Sequence, residues 1–126
     1  MYKSFIFYLI LLNSIWDLLC GFSIIFNIYP FSIFHNYLWK YDYTKYNNNY
    51  ILEIRSKHLF AYLIILWGFM RFIGLILYIK ELIIFYYIFE GLIIFNEIFI
   101  YNNMKTDYGL LVGSLSFLFA YLAYYL

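Results

Sequence analysis

The chain has 126 residues, of which 67% are hydrophobic, 28% aromatic and only 12% charged, whereas a soluble domain is about half apolar and about a quarter charged. A water-soluble fold of this length could not bury so much apolar surface, so we expect an integral membrane protein. The net charge of +1 argues against nucleic acid as a partner, and the single cysteine, Cys20, excludes an internal disulfide and a cysteine-built metal site.

The apolar residues form blocks long enough to cross a bilayer, which takes about 20 residues per helix. Within lipid the backbone must satisfy its own hydrogen bonds, so the blocks are predicted to be helices. We therefore predict an all-α fold, a four-helix transmembrane bundle in a single membrane domain over residues 1–126. The predicted spans are residues 4–27, 58–79, 82–101 and 108–126, joined by a polar connection at 31–57, a tight turn at Lys80–Glu81 and a short loop at 102–107.

Four spans place both termini on the same side of the membrane as the Lys80 turn. The two loops on the other side hold most of the basic residues, so the positive-inside rule predicts that this side faces the cytosol or the matrix. Lys3 and the apolar run 5–12 resemble the start of a signal peptide, but Asn13 and Asp17 interrupt the run. We expect this segment to be retained as the first helix, without a separate presequence.

Four charged residues fall inside the predicted spans, where a central Asp or Arg costs roughly 2.5–3.5 kcal/mol to insert. They are Asp17, Arg71, Glu90 and Glu97. Arg71 and Glu90 are equally far in sequence from the predicted turn, so an antiparallel hairpin would place both ~13 Å from it. We predict an ion pair between them, with Asp17 as a second partner for Arg71.

This pair admits three interpretations. In the favoured interpretation, the pair fixes the register of the helices. In the second, Asp17, Glu90 and Glu97 form a proton or ion path. In the third, the charges contact a lipid headgroup or a partner subunit. A path requires a continuous file of polar groups, and three acids on two helices make a sparse one.

Small residues recur every three or four positions along the fourth span, and this pattern lets another helix approach closely. They are Gly109, Gly113, Ser116, Ala120 and Ala123. In the second span, Ala61, Gly68 and Gly74 are predicted to serve similarly near Arg71. The first span carries a polar stripe with Asn13, Asp17 and Cys20–Gly21 at helical spacing. Both patterns predict helix packing and leave open whether the neighbouring helix belongs to this chain.

Motifs that would indicate catalysis are missing from the sequence. The two histidines, His35 and His58, lie in the polar connection or at the start of a span, so a bis-histidine haem is not expected. We find no phosphate-binding glycine loop and no Ser–His–Asp set. We therefore predict no catalytic residue, no cofactor, no metal ligand and no small-molecule substrate.

Two segments resemble the ergosterol biosynthetic protein 28 family. They are Met70-Arg71-Phe72-Ile73-Gly74 in the second span and Asn96-Glu97-Ile98-Phe99-Ile100-Tyr101 at the end of the third. Members of that family are four-span proteins of the endoplasmic reticulum that tether the enzymes of sterol C-4 demethylation and are not enzymes themselves. The resemblance covers about residues 58–126, matches at Arg71 and Glu97, and departs at Ile93, where the family has a histidine. It implies a non-catalytic tether.

Residue usage also points to a very AT-rich gene, because Val occurs only at position 112 and Ala only at positions 61, 120 and 123. Organelle genomes of protists, some giant viruses and some parasites have this character. We therefore expect an accessory or scaffold subunit of a larger membrane complex, such as a respiratory complex or ATP synthase of the mitochondrial inner membrane, with other membrane subunits and lipids as partners. The alternatives are a scaffold of the endoplasmic reticulum, a proton-conducting subunit and, least favoured, a small membrane enzyme.

Overall fold

A computed structural model describes the backbone of residues 1–31 and 50–126 and the side chains of residues 1–31 and 57–126. Most of the predicted polar connection at 31–57, including His35 and the basic residues Lys40 and Lys45, lies outside these residues. The side chain of Arg55 lies outside them as well. Of the two predicted loops on the side of the membrane opposite the termini, the structure describes in full only the short one before the last helix.

The described residues form four helices and no strand, which confirms the all-α prediction. The helices are α1 (Tyr2–Phe26), α2 (Tyr50–Ile76), α3 (Lys80–Phe99) and α4 (Thr106–Tyr124). Each contains a stretch long and apolar enough to cross a membrane, and in α2 this stretch is Lys57–Ile76.

The second helix begins at Tyr50, well before the predicted start at residue 58. The sequence prediction followed hydropathy, which marks the part of a helix that suits lipid and not the whole hydrogen-bonded element. Residues 50–57, assigned to the polar connection from the sequence, therefore continue the helix beyond its apolar stretch.

The turn between α2 and α3 lies earlier than predicted. It occupies residues 77–79, and the predicted turn residues Lys80–Glu81 are the first two residues of α3. Tyr78 adopts the left-handed conformation with φ 56°, and the Ile79 N–H donates to the Gly74 carbonyl at 2.8 Å. This is the hydrogen-bonding pattern of a helix C-terminus that reverses within a few residues. The prediction was wrong because apolar residues make this turn, and the charged pair starts the next helix.

The helices pack as two close pairs, α1 along α2 and α3 along α4. Contacts between α2 and α3 join the pairs, whereas α1 meets α4 over only a short stretch. One core cluster lies where all four helices meet and includes Ile10, Leu75, Ile83, Tyr87 and Ala120.

The small-residue stripe of α4 faces inward. Gly109, Gly113, Ser116, Ala120 and Ala123 are all buried. A Cβ atom on Gly109 would meet Ile98 of α3, and one on Gly113 would meet Phe95 of the same helix. The neighbour that the sequence left open is therefore α3 of the same chain.

Polar and apolar side chains are distributed as lipid requires. Large apolar side chains such as Phe5, Leu12, Leu59 and Leu111 are more than half exposed along the outside of the bundle. The buried side chains include polar and charged groups, namely Ser14, Asp17, Ser23, Arg71, Glu90 and Ser116. Charged groups in membrane helices usually face the bundle interior, because a charge exposed to lipid is costly. The chain is a membrane protein with four candidate spanning helices.

Candidate functional site

The centre of the bundle holds a cluster of one guanidinium and two carboxylates from three helices. Arg71 of α2 has no exposed surface. Its Nη1 atom lies 2.6 Å from Asp17 Oδ2 of α1, and its Nη2 atom pairs with Glu90 Oε2 of α3. The predicted pair with Glu90 and the predicted second partner, Asp17, are both present.

Side-chain direction explains why Arg71 and Glu90 meet although the turn is displaced. Arg71 lies five residues before the end of α2, whereas Glu90 lies ten residues after the start of α3, so their backbones are not at equal distances from the turn. Side chains in a helix tilt toward its N-terminus. In α2 this direction leads away from the turn, and in α3 it leads toward the turn, so the two side chains approach each other.

A second set of contacts surrounds the guanidinium. Asn13 Oδ1 of α1 accepts from Arg71 Nη1 at 3.3 Å and from the Tyr87 hydroxyl of α3 at 2.7 Å. The Tyr87 ring lies beneath the guanidinium, with the ring centroid 3.9 Å from Arg71 Cζ, which is a cation–π distance. Nη2 also lies 3.5 Å from the Tyr86 carbonyl oxygen. These contacts fix the plane of the guanidinium as well as its position.

One of the small residues predicted near Arg71, Gly68, allows α1 to approach. Gly68 lies one helical turn before Arg71 on α2. A Cβ atom there would lie 2.9 Å from the Ser14 carbonyl oxygen and 3.0 Å from Asp17 Cβ. The sequence predicted this close packing, and the structure identifies α1 as the helix that approaches.

The fourth helix closes the cluster on the side of Glu90. Ser116 is buried, adjoins the Glu90 carboxylate and donates its hydroxyl to the Val112 carbonyl at 3.0 Å. The same small stripe that lets α4 pack on α3 therefore contributes a polar atom near the charges. Ala120, one turn further along, is part of the apolar core.

Glu97, the fourth predicted intramembrane charge, is not part of the cluster. It lies near the end of α3, is half-buried and accepts from Asn103 Nδ2 at 2.9 Å. Two helical turns separate it from Glu90, about 10 Å along the axis. The described residues thus bring Asp17 and Glu90 together through Arg71 and leave Glu97 with the loop before α4.

The charge count of the cluster limits its chemistry. Two carboxyl groups share one guanidinium, and each has an oxygen within contact of it. Among the residues that the structure describes, no three His, Cys, Asp or Glu side chains are grouped as metal ligands would be. Cys20 is a buried thiol on α1, one turn after Asp17. The arrangement is suited to hold three helices at a fixed register, because both carboxyl groups contact the guanidinium only when the helices are assembled.

Comparisons with protein-family models, with curated proteins and with solved structures find no match for this chain.

Proposed function

We propose that this chain is a non-catalytic accessory or scaffold subunit of a larger membrane protein complex. The observation that carries the proposal is the complete burial of Arg71 between Asp17 and Glu90. Charged side chains inside a membrane are expensive and usually mark function. Here all three are bound to one another, so their role is to hold α1, α2 and α3 together.

The outer surface supports the same role. The cluster turns the charges inward and leaves apolar and aromatic side chains outside, among them Trp16, Phe22, Phe69 and Phe85. In lipid, helices associate through close packing and not through a hydrophobic driving force. A rigid four-helix unit with such a surface can pack against the spanning helices of neighbouring subunits.

The membrane we propose is the mitochondrial inner membrane, where the chain would be a supernumerary subunit of a respiratory complex or ATP synthase. The AT-rich residue usage supports this location. The rival location is the endoplasmic reticulum, with a tethering role for sterol-synthesis enzymes, and it is supported by the resemblance at Arg71 and Glu97. The two locations predict different partners.

Purification under mild conditions tests the proposal. The tagged chain, extracted from its native membrane in digitonin, is separated by native electrophoresis, and the proteins migrating with it are identified by mass spectrometry. We expect a band far above 15.5 kDa, with other membrane subunits in stoichiometric amounts. Respiratory or ATP synthase subunits support the mitochondrial assignment, and sterol enzymes support the rival. A chain that migrates alone overturns the proposal.

A proton-conducting role makes a different prediction, because Asp17 and Glu90 would then exchange protons with both sides of the membrane. The purified chain in liposomes with an internal pH dye should pass no more protons than protein-free liposomes under an imposed potential. A flux that disappears in Asp17→Asn and Glu90→Gln but persists in Lys105→Gln would establish the conducting role and overturn the scaffold.

A further inference from the structure

A cavity of about 510 Å³ opens at the end of the bundle where α1 begins, α2 turns into α3 and α4 ends. Its lining is amphipathic. Lys3 comes from α1, and Lys80 and Glu81 come from the start of α3. The apolar part includes Phe7, Leu75 and Ile83, which belong to or pack on the buried core cluster of this end. None of the residues of the Arg71 cluster lines it.

The position of the cavity sets its surroundings. The four helices each have a stretch that spans a bilayer, so their ends lie at the level of the lipid headgroups. Lysine side chains at such ends extend their ammonium groups toward the interface while their methylene groups cover apolar surface. An apolar floor below two lysines at this level matches a molecule with acyl chains and a charged head.

The charged groups favour a phosphate. Lys80 Nζ lies 3.4 Å from the Tyr124 carbonyl oxygen and 5.2 Å from the centroid of the Tyr124 ring, so α4 holds this ammonium group at the cavity. The N-cap of α3 is Ile79, which cannot accept hydrogen bonds from the first-turn N–H groups through its side chain. A helix N-terminus of this kind adds to the attraction of an anion by the lysines.

We propose that this cavity binds a membrane glycerophospholipid, with its phosphate between Lys3 and Lys80 and an acyl chain against the lining residues Phe7, Tyr8 and Leu126. The ligand is recognised by its phosphodiester and its chains together. The proposal does not depend on the scaffold role, because the cavity lies at the end of the bundle and shares no residue with the Arg71 cluster.

Native mass spectrometry of the purified full chain tests it, with three probes added to the detergent. The probes are phosphatidylglycerol, a diacylglycerol with the same acyl chains and no phosphate, and inorganic phosphate. We expect phosphatidylglycerol to remain bound, and the other two to be bound at least tenfold more weakly. Each lysine near a headgroup contributes about fivefold to binding, so Lys3→Gln with Lys80→Gln should weaken binding roughly 25-fold.

Two variants separate this site from general charge effects. Lys105→Gln removes a lysine at the start of α4, at the other end of the bundle, and should leave binding unchanged. Glu81→Gln removes the acidic side chain of the lining and should strengthen binding of phosphatidylglycerol. Equal binding of phosphatidylglycerol and diacylglycerol overturns the proposal, as does equal binding of inorganic phosphate. It is also overturned if the double lysine variant behaves like Lys105→Gln.

Discussion

Arg71 and Asp17 are 54 residues apart in the chain, yet the guanidinium donates to the carboxylate at 2.6 Å across the interface between α1 and α2. This contact makes the first helix a full member of the cluster. A hairpin of α2 and α3 alone would contain a simple ion pair, whereas the observed cluster contains two acids for one base. The effects expected from substituting Arg71, Asp17 or Glu90 depend on this ratio of two acids to one base.

Removing the guanidinium should be the most damaging single change in the cluster. Arg71→Leu leaves two buried carboxyl groups without their partner, and breaking a buried pair in this way costs about 3–5 kcal/mol. Unfolding in mixed detergent and dodecyl sulfate, followed by helical circular dichroism, measures the loss. The matched control is Lys105→Gln, for which we expect no measurable change. An Arg71→Leu variant as stable as that control would show that the cluster does not hold the bundle.

Rescue of an Arg71 substitution requires neutralising both acids. Arg71→Gln with Glu90→Gln leaves Asp17 buried and unpaired, so this double variant should recover only part of the stability. Adding Asp17→Asn removes the last buried charge and should recover most of it, as neutral replacements of buried ion pairs often do. The same unfolding measurement ranks the three variants. Full recovery in the double variant would mean that Asp17 does not depend on Arg71.

Neutralising one acid while keeping Arg71 should have a small effect. In Asp17→Asn the guanidinium keeps Glu90, and in Glu90→Gln it keeps Asp17, so each variant retains a balanced pair. We expect each loss to be no larger than the contribution of one hydrogen bond to a charged group, about 1.5–3 kcal/mol, and smaller than the loss in Arg71→Leu. A loss in Glu90→Gln as large as that in Arg71→Leu would contradict the shared cluster and favour an isolated pair.

Gly68 should tolerate a methyl group less well than Gly109. In Gly68→Ala the new Cβ meets the Ser14 backbone oxygen, which can move only with α1, and overpacking of this kind costs about 1–3 kcal/mol. In Gly109→Ala the new Cβ meets the end of the Ile98 side chain, which can change rotamer. Both variants gain the same helix propensity, so their difference in unfolding free energy isolates the contact. Equal stabilities would show that α1 is not held at this distance.

The hydroxyl of Tyr87 should contribute through Asn13. Tyr87→Phe keeps the ring beneath the guanidinium and removes the 2.7 Å hydrogen bond, for a loss of about 0.5–1.5 kcal/mol. Tyr86→Phe, on the same helix, is the matched control and should lose less. A double-mutant cycle of Tyr87→Phe with Asn13→Ala measures the coupling. A coupling near zero would show that the Tyr87 hydroxyl does not act through Asn13.

Hydropathy and helical spacing were enough to predict several features of the fold. Blocks of about 20 apolar residues must become helices in lipid, whatever their tertiary contacts, because the backbone has no other hydrogen-bonding partner there. The stripe of small residues from Gly109 to Ala123 can be recognised in the sequence because its members recur with the period of the helix. The pairing of Arg71 with Glu90 was predicted from the antiparallel hairpin and the cost of a lone charge in the membrane, but the equal distances from the turn that supported it were wrong.

Other features depend on contacts between distant parts of the chain. The turn at residues 77–79 is made by apolar residues, so composition pointed instead to Lys80–Glu81. Glu97 accepts a hydrogen bond from Asn103 in the following loop, a contact that residue spacing within α3 does not indicate.

The apolar blocks and the few charges within them are enough to predict a membrane protein whose buried charges are paired, because both features follow from the cost of polar groups in hydrocarbon. The structure was needed to show that Gly68 faces α1, that the small residues of α4 face α3, and that Glu97 lies apart from the cluster. Partner choice depends on which helix faces meet, and residue spacing within one helix does not specify the face of another.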